Sequence, residues 1–187
     1  AGGALPSVRT RNTGCGPSDS DALSVGTLTS GVCSTYNGTS WTNTGSMGTA
    51  RYRGGSSGNT SSAITYGGST YPGVNNVAVT EDFDGSTWSS NPATMGTARY
   101  AFGYSGSTTG ALASTGYTGS MTGVTEEYNR SSTAFTPATW AALPNLGTAR
   151  YGIGMGYVDN ANTLGGMCVG SAPYRSGLTE NYDGSSW

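Results

Sequence analysis

The six residues MGTARY at 95–100 also stand, letter for letter, at 47–52; they return as LGTARY at 146–151 and, in worn form, as LPSVRT at 5–10. An arginine that works in an active site needs one copy and unlike neighbours. A building block recurs together with everything around it at a fixed distance. The second pattern holds here. Thr80-Glu-Asp-Phe-Asp-Gly-Ser-Thr-Trp88 is matched by Thr179-Glu-Asn-Tyr-Asp-Gly-Ser-Ser-Trp187 and, shortened, by Thr35-Tyr-Asn-Gly-Thr-Ser-Trp41. A third copy, Thr125-Glu-Glu-Tyr-Asn129, meets an insertion before Trp140. Arg9, Arg51, Arg99 and Arg150 keep step with Trp41, Trp88, Trp140 and Trp187, at a spacing of about 50 residues that belongs to stacked or radial repeat folds. The chain divides into four modules, 1–46, 47–94, 95–145 and 146–187, forming a single repeat domain or a slice of a longer array.

Composition narrows the chemistry. Charged residues are 10% of the chain, against roughly 25% in ordinary domains. Twelve Tyr, four Trp and a net charge of −2 separate it from a disordered Gly/Ser tract, which is poor in aromatics. There is no His, and every basic residue is Arg. The commonest general base, the commonest metal ligand and the Schiff-base amine are therefore missing. No basic run tracks phosphates, and no apolar run approaches the ~20 residues of a membrane span. The expectation is a protein that is no enzyme, takes no cofactor, and engages neither nucleic acid nor the membrane interior. Cys15, Cys33 and Cys168 lack metal-ligand spacing; Cys15 and Cys33 either pair or pack as thiols.

Each module reads as four short strands, because no apolar stripe of helical period persists and Gly interrupts about every ten residues. In the second module the strands are expected near 51–56, 62–66, 77–83 and from Trp88 onward. Asn37-Gly38 and Asp84-Gly85 are read as tight hairpin turns whose two central residues take positive φ. Gly54, Gly55, Ala101, Gly103, Gly152, Gly154 and Gly156 make the first strand small-sided, as suits strands that converge on a crowded axis.

An apolar run ending in Gly67-Gly68, then Phe83, then Trp88, then Arg99, resembles the kelch repeat, as do Gly165-Gly166, Tyr182 and Trp187. Module three keeps Gly116 alone and module one Gly26 alone. The resemblance implies an all-β kelch-like β-propeller of four tandem repeats, each a four-stranded antiparallel blade. The Ser/Thr/Gly-rich style, with Thr-Glu-x-Tyr-Asp-Gly-Ser-Ser-Trp leading into Gly-Thr-Ala-Arg, resembles the kelch-like structural proteins of marine bacteriophages, cyanophages in particular. That likeness implies a virion fibre or appendage component, located on a virion surface or outside the cell. Its expected partners are other virion or surface proteins and host glycan. The alternatives are a secreted or cell-surface bacterial adhesin and a carbohydrate-active enzyme on a propeller scaffold. Galactose oxidase shares the kelch propeller but holds copper with histidines, which this chain lacks. Asp84-Gly-Ser-Thr-Trp88 departs from the sialidase Asp box, in which one residue separates the Asp from the Gly.

The once-per-module recurrence of Arg9, Arg51, Arg99 and Arg150 and of Glu81, Glu126 and Glu180 assigns them to structural pairing between blades, with Ser34 in the glutamate's place in module one. Trp41, Trp88, Trp140 and Trp187 are assigned to equivalent structural positions. Asp82 and Asp84 offer oxygens of the kind Ca²⁺ takes, but a turn aspartate explains them without an ion. Recognition is expected where the repeat breaks, at 69–76, 117–122, 130–139 and 169–176, because loops on a rigid scaffold carry it. The candidate binding residues there are Tyr71, Asn75, Tyr117, Phe135 and Tyr174: aromatic faces beside neutral hydrogen-bonding groups, suited to sugars or protein surfaces. Because the chain begins and stops in the same phase of the repeat, its ends are expected to meet. Residues 1–5 would extend the strand begun at Trp187, within one chain or across a homo-oligomer.

Overall fold

The computed structural model describes residues 2–130, 139–147 and 151, and the backbone of three further strands, Gly154–Asn160, Thr163–Val169 and Thr179–Tyr182. The protein is all-β, with no helix among the described residues. Strands β1 (Thr13–Ser18), β2 (Asp21–Val25), β3 (Cys33–Tyr36) and β4 (Trp41–Thr44) form one antiparallel sheet in sequence order. The second contains β5 (Gly55–Gly58), β6 (Ala63–Tyr66), β9 (Thr80–Phe83) and β10 (Trp88–Asn91); the third contains β11 (Gly103–Gly106), β12 (Gly110–Ser114), β13 (Thr125–Asn129) and β14 (Thr139–Leu143). In the fourth, β15 (Gly154–Asn160), β16 (Thr163–Val169) and β17 (Thr179–Tyr182) follow the same order. A small hairpin, β7 (Ser69–Thr70) with β8 (Asn75–Asn76), sits in the connection between β6 and β9.

The repeated aromatics explain the common register. Tyr36 lies directly across from Trp41, Phe83 from Trp88, and Tyr128 from Trp140. The ring centroids of these pairs are 5.0, 4.9 and 5.5 Å apart, and contacts of this kind add about 0.5–1.5 kcal/mol each beyond their area. The three described tryptophans thus hold equivalent places; Trp187 lies outside the described residues. Period-two alternation then sends side chains of one strand to two different interfaces. Ala63 and Phe83 pack with Leu23, Val25, Cys33 and Met47 toward the first sheet. Ile64 and Tyr66 pack with Met95, Phe102, Ala113 and Tyr128 toward the third. Among the described residues the apolar interior is therefore two thin slabs between successive sheets.

The first strands β1, β5 and β11 converge. The Thr13 hydroxyl donates to the Tyr104 hydroxyl at 2.6 Å and lies 3.4 Å from Ser56 Oγ. Strand β15 lies beside β11. Glycine is needed in these strands for a steric reason: a Cβ on Gly55 would stand 2.5 Å from Tyr66 Cε2 and 2.9 Å from Phe102 Cε2. A cavity of about 470 Å³ runs between the small-sided strands, past Gly16, Ser57 and Ser105.

Two expectations need correction. The first strand of module two begins at Gly55, not Arg51, because Arg53 takes a left-handed φ of 53° that ends extended pairing before it starts. The hairpins after β3 and β9 are four-residue turns in which Gly38 and Gly85 alone take positive φ. Asn37 and Asp84 instead turn their side chains onto the backbone. Asn37 Oδ1 accepts from the N–H groups of Thr39 and Ser40, and Asp84 Oδ1 from those of Ser86 and Thr87. This is the local alternative to positive φ that Asn and Asp offer. At the start of the chain, Gly3 N–H donates to Thr39 O at 2.9 Å, which places it against the first sheet's own outer turn; the expected meeting with Trp187 lies outside the described residues.

Candidate functional site

Two of the repeated arginines are spent inside the scaffold. Arg51 is 2% exposed and Arg99 0%. Arg51 Nη1 donates to Glu81 Oε1 at 2.5 Å, and Gly48 and Thr49 N–H donate to the same carboxylate at 2.7 and 3.1 Å. Arg51 Nη2 reaches Thr65 O at 3.2 Å. Arg99, Glu126, Gly96, Thr97 and Ala113 repeat the arrangement. Each pair joins the segment that enters a sheet to the third strand of that same sheet. The linkage closes a module on itself, rather than bridging two as the recurrence alone led one to expect. Burial pulls both arginine pKa values down, and the neighbouring glutamates oppose that shift.

Module one shows what happens when the partner is missing. Pro6, which has no N–H, stands where the other modules have Gly48 and Gly96, and Ser34 replaces the glutamate. Donor and acceptor have gone together. Arg9 is only half-buried and bonds neutral groups instead: Ser34 Oγ at 2.5 Å, Ser24 O at 3.2 Å and Asn43 Oδ1 at 3.3 Å. Arg150 lies outside the described residues, as does the side chain of Glu180.

Asp82 and Asp84 are likewise occupied. Arg130 Nη2 sits 2.6 and 2.8 Å from the two oxygens of Asp82, and Asn91 Nδ2 donates to both at 3.1 Å. Four hydrogen bonds from Ser86 and Thr87 hold the Asp84 carboxyl well below the usual range. Among the described residues no group of three His, Cys, Asp or Glu side chains is placed to hold a metal. Cys15 and Cys33 are free thiols at the interface of the first two sheets, and burial pushes Cys15 up to about 12.

Two of the segments that break the repeat, 69–76 and 117–122, meet at one end of the sheets; residues 131–138 and 170–178 lie outside the described residues. The hairpin β7–β8 leaves the second sheet where Tyr66 pairs with Thr80, the end opposite the Asn59 and Asp84 turns. Tyr71 and Val74 stand at its tip, 58% and 60% exposed. Asn75 is exposed, and its Nδ2 lies 3.5 Å from Pro72 O. Asn76 Nδ2 donates to Tyr117 O at 3.0 Å, tying this hairpin to the irregular loop of module three. Tyr71, Asn75 and Tyr117 are thus brought onto one end of the molecule; Phe135 and Tyr174 lie outside the described residues.

The same end carries residues that the sequence reading passed over. The Tyr117 ring lies 5.5 Å from Tyr100, and Tyr100 lies 6.5 Å from Tyr52. The Arg11 guanidinium sits 5.4 Å from the Tyr52 ring, and that of Arg53 sits 5.9 Å from Tyr100. Backbone bonds carry this belt from module to module: Arg53 N–H donates to Arg11 O, and Ala101 N–H to Arg53 O, each at 2.9 Å. The signal was present in the repeat itself. Two places past the repeated arginine stand Arg11, Arg53, Ala101 and Gly152, a variable position in an otherwise constant frame. Beside the belt is a cavity of about 250 Å³ lined by Asn12, Thr13, Arg53, Phe102, Tyr104 and Tyr151, among others. No protein-family model matches this chain, and no curated protein matches it.

Proposed function

We propose that this protein is a non-catalytic recognition scaffold, a kelch-like four-bladed propeller serving as a virion fibre or appendage component that contacts host-surface glycan or a neighbouring virion protein. The observation that carries the reading is the Asn76 to Tyr117 bond at 3.0 Å, which gathers two non-repeating segments of different modules onto one end. Arg51 and Arg99 pair with Glu81 and Glu126 inside the sheets and leave that end to Tyr, Asn and Arg. Aromatic faces next to amide and hydroxyl groups match the alternating apolar and polar faces of a sugar ring, and Tyr and Arg are enriched in protein contact sites. Four successive antiparallel sheets whose first strands lie side by side support the propeller arrangement. The absence of His and Lys from the whole sequence supports a binding rather than a catalytic role.

A glycan array probed with the wild-type protein and with the Tyr71→Ser/Tyr117→Ser double variant tests the proposal. Binding to a restricted set of saccharides, lost in the double variant while its thermal midpoint is kept, is the expected result. Binding that survives both substitutions unchanged contradicts it.

A further inference from the structure

Arg11 and Arg53 occupy a place where the backbone favours glycine. Their φ values are 60° and 53°, and the equivalent Ala101 has 54°. An L-residue is strained in this left-handed region, and glycine is not. The sequence puts Gly152 at the corresponding place in module four, so the frame accepts glycine there. Two modules nevertheless carry arginine, the longest cationic side chain, at the strained position.

The scaffold does not use these two charges. Three ion pairs form among the described residues, Arg51–Glu81, Arg99–Glu126 and Arg130–Asp82, and neither Arg11 nor Arg53 belongs to one. Both side chains are exposed. Each guanidinium lies over a tyrosine of the next module, at 5.4 and 5.9 Å, and the two rings are 6.5 Å apart. Stacking on a ring fixes the guanidinium plane while leaving its N–H edge to accept a partner. Both arginines are thus oriented without being neutralised, on a chain whose net charge is −2.

The space beside them has the scale of one small ligand. The cavity at Arg53 is about 250 Å³, somewhat below the roughly 300–1,000 Å³ of drug-sized sites. Asn12 supplies amide chemistry and Tyr151, 44% exposed, an aromatic face, while the Tyr104 hydroxyl is held by Thr13 and Gly14. A planar guanidinium meets a carboxylate with two parallel N–H···O bonds.

We propose that this cavity binds a carboxylate-bearing saccharide, with Arg53 gripping the acid group, Arg11 adding a second positive charge beside it, and Asn12 and Tyr151 holding the sugar ring. The assignment rests on the recognition reading above and narrows it to acidic glycans.

Titration calorimetry with trigalacturonate and sialyllactose, against neutral maltotriose and lactose, tests it at low and at raised salt. The acidic sugars are expected to bind at least tenfold more tightly than the neutral ones, with affinity falling as salt rises. Arg53→Gly relieves the backbone strain, so it should keep or raise the thermal midpoint while weakening acidic-sugar binding at least tenfold. Arg53→Lys, which keeps the charge but loses the planar fork, should recover only part of that loss. Equal affinity for acidic and neutral sugars, or full acidic-sugar affinity in Arg53→Gly, overturns the acid site and leaves the recognition face standing. If the wild type binds none of the four sugars while the array still shows Tyr71-dependent binding, the acid site alone is overturned. If nothing binds in either assay, both proposals fall.

Discussion

Arg99 Nη1 donates to Glu126 Oε1 at 2.5 Å, and Arg51 stands to Glu81 at the same distance in the preceding module. Each carboxylate also takes two backbone N–H donors from the Gly-Thr that precedes its arginine. The Gly-Thr-Ala-Arg phrase and the distant Glu are therefore one structural unit written in two places. Removing one member leaves a buried charge without its partner, which costs about 3–5 kcal/mol. Glu126→Ala is expected to lose that much in urea unfolding. Ser34→Ala in module one, where Arg9 is half-buried and bonds only neutral groups, should lose about 1 kcal/mol. Similar small losses for both would remove the pair from the account of stability.

Gly55→Ala tests the close approach of the sheets. Its new Cβ would meet rings on two sides, Tyr66 within its own sheet and Phe102 just before the third. Overpacking of this kind costs typically 1–3 kcal/mol. A lowered midpoint of unfolding is the expected outcome, and an unchanged one would mean that the first strands are less tightly packed than described.

Much of this scaffold was legible because it is written repeatedly. The Tyr36–Trp41, Phe83–Trp88 and Tyr128–Trp140 pairs and the Arg–Glu units each follow from letters that return in order. What one strand order could not reveal was which element each charge joins, so a bond within a module was read as a bond between modules. The β7–β8 hairpin was also hidden, since a single copy of 69–76 gives no repeat to align. Arg11 and Arg53 were overlooked for the opposite reason. They sit beside the constant arginine, and their importance lies in a positive φ and a neighbouring module's tyrosine, neither of which is a property of local sequence.

The Asp84 turn carries a pH signature. Its carboxyl is held below the ordinary range by hydrogen bonds from the Thr87 and Ser86 backbone and then from their hydroxyls. A folded pKa below the unfolded value, about 3.9 for Asp, gives stability that is fully present above that value and lost as pH falls toward the folded one. Asp84→Asn keeps an acceptor, as Asn37 does in module one, but cannot titrate. The stability advantage of wild type over this variant should therefore be constant above about pH 5 and shrink below about pH 4. A pH-independent difference in denaturant midpoints would contradict the assignment.

Burial that pushes the Cys15 thiol up to about 12 makes it a poor nucleophile near neutrality, since the thiolate is the reactive form. Iodoacetamide at pH 8, followed by peptide mass mapping, should label Cys15 and Cys33 slowly in the folded protein and rapidly in urea. Fast labelling of either under native conditions would show that the first interface opens readily.

The central claim is that the repeated residues build the scaffold and that recognition lies at the end that gathers the irregular segments 69–76 and 117–122. Mapping of backbone amide chemical shifts during titration with trigalacturonate tests it most directly. The predicted result is a contiguous set of perturbed amides at Arg11, Asn12, Arg53, Tyr71, Asn75 and Tyr117, with Gly58, Asp84 and Gly106 unmoved. Perturbations centred instead on the turns at Gly58, Asp84 and Gly106, or spread evenly over the four modules, would contradict it.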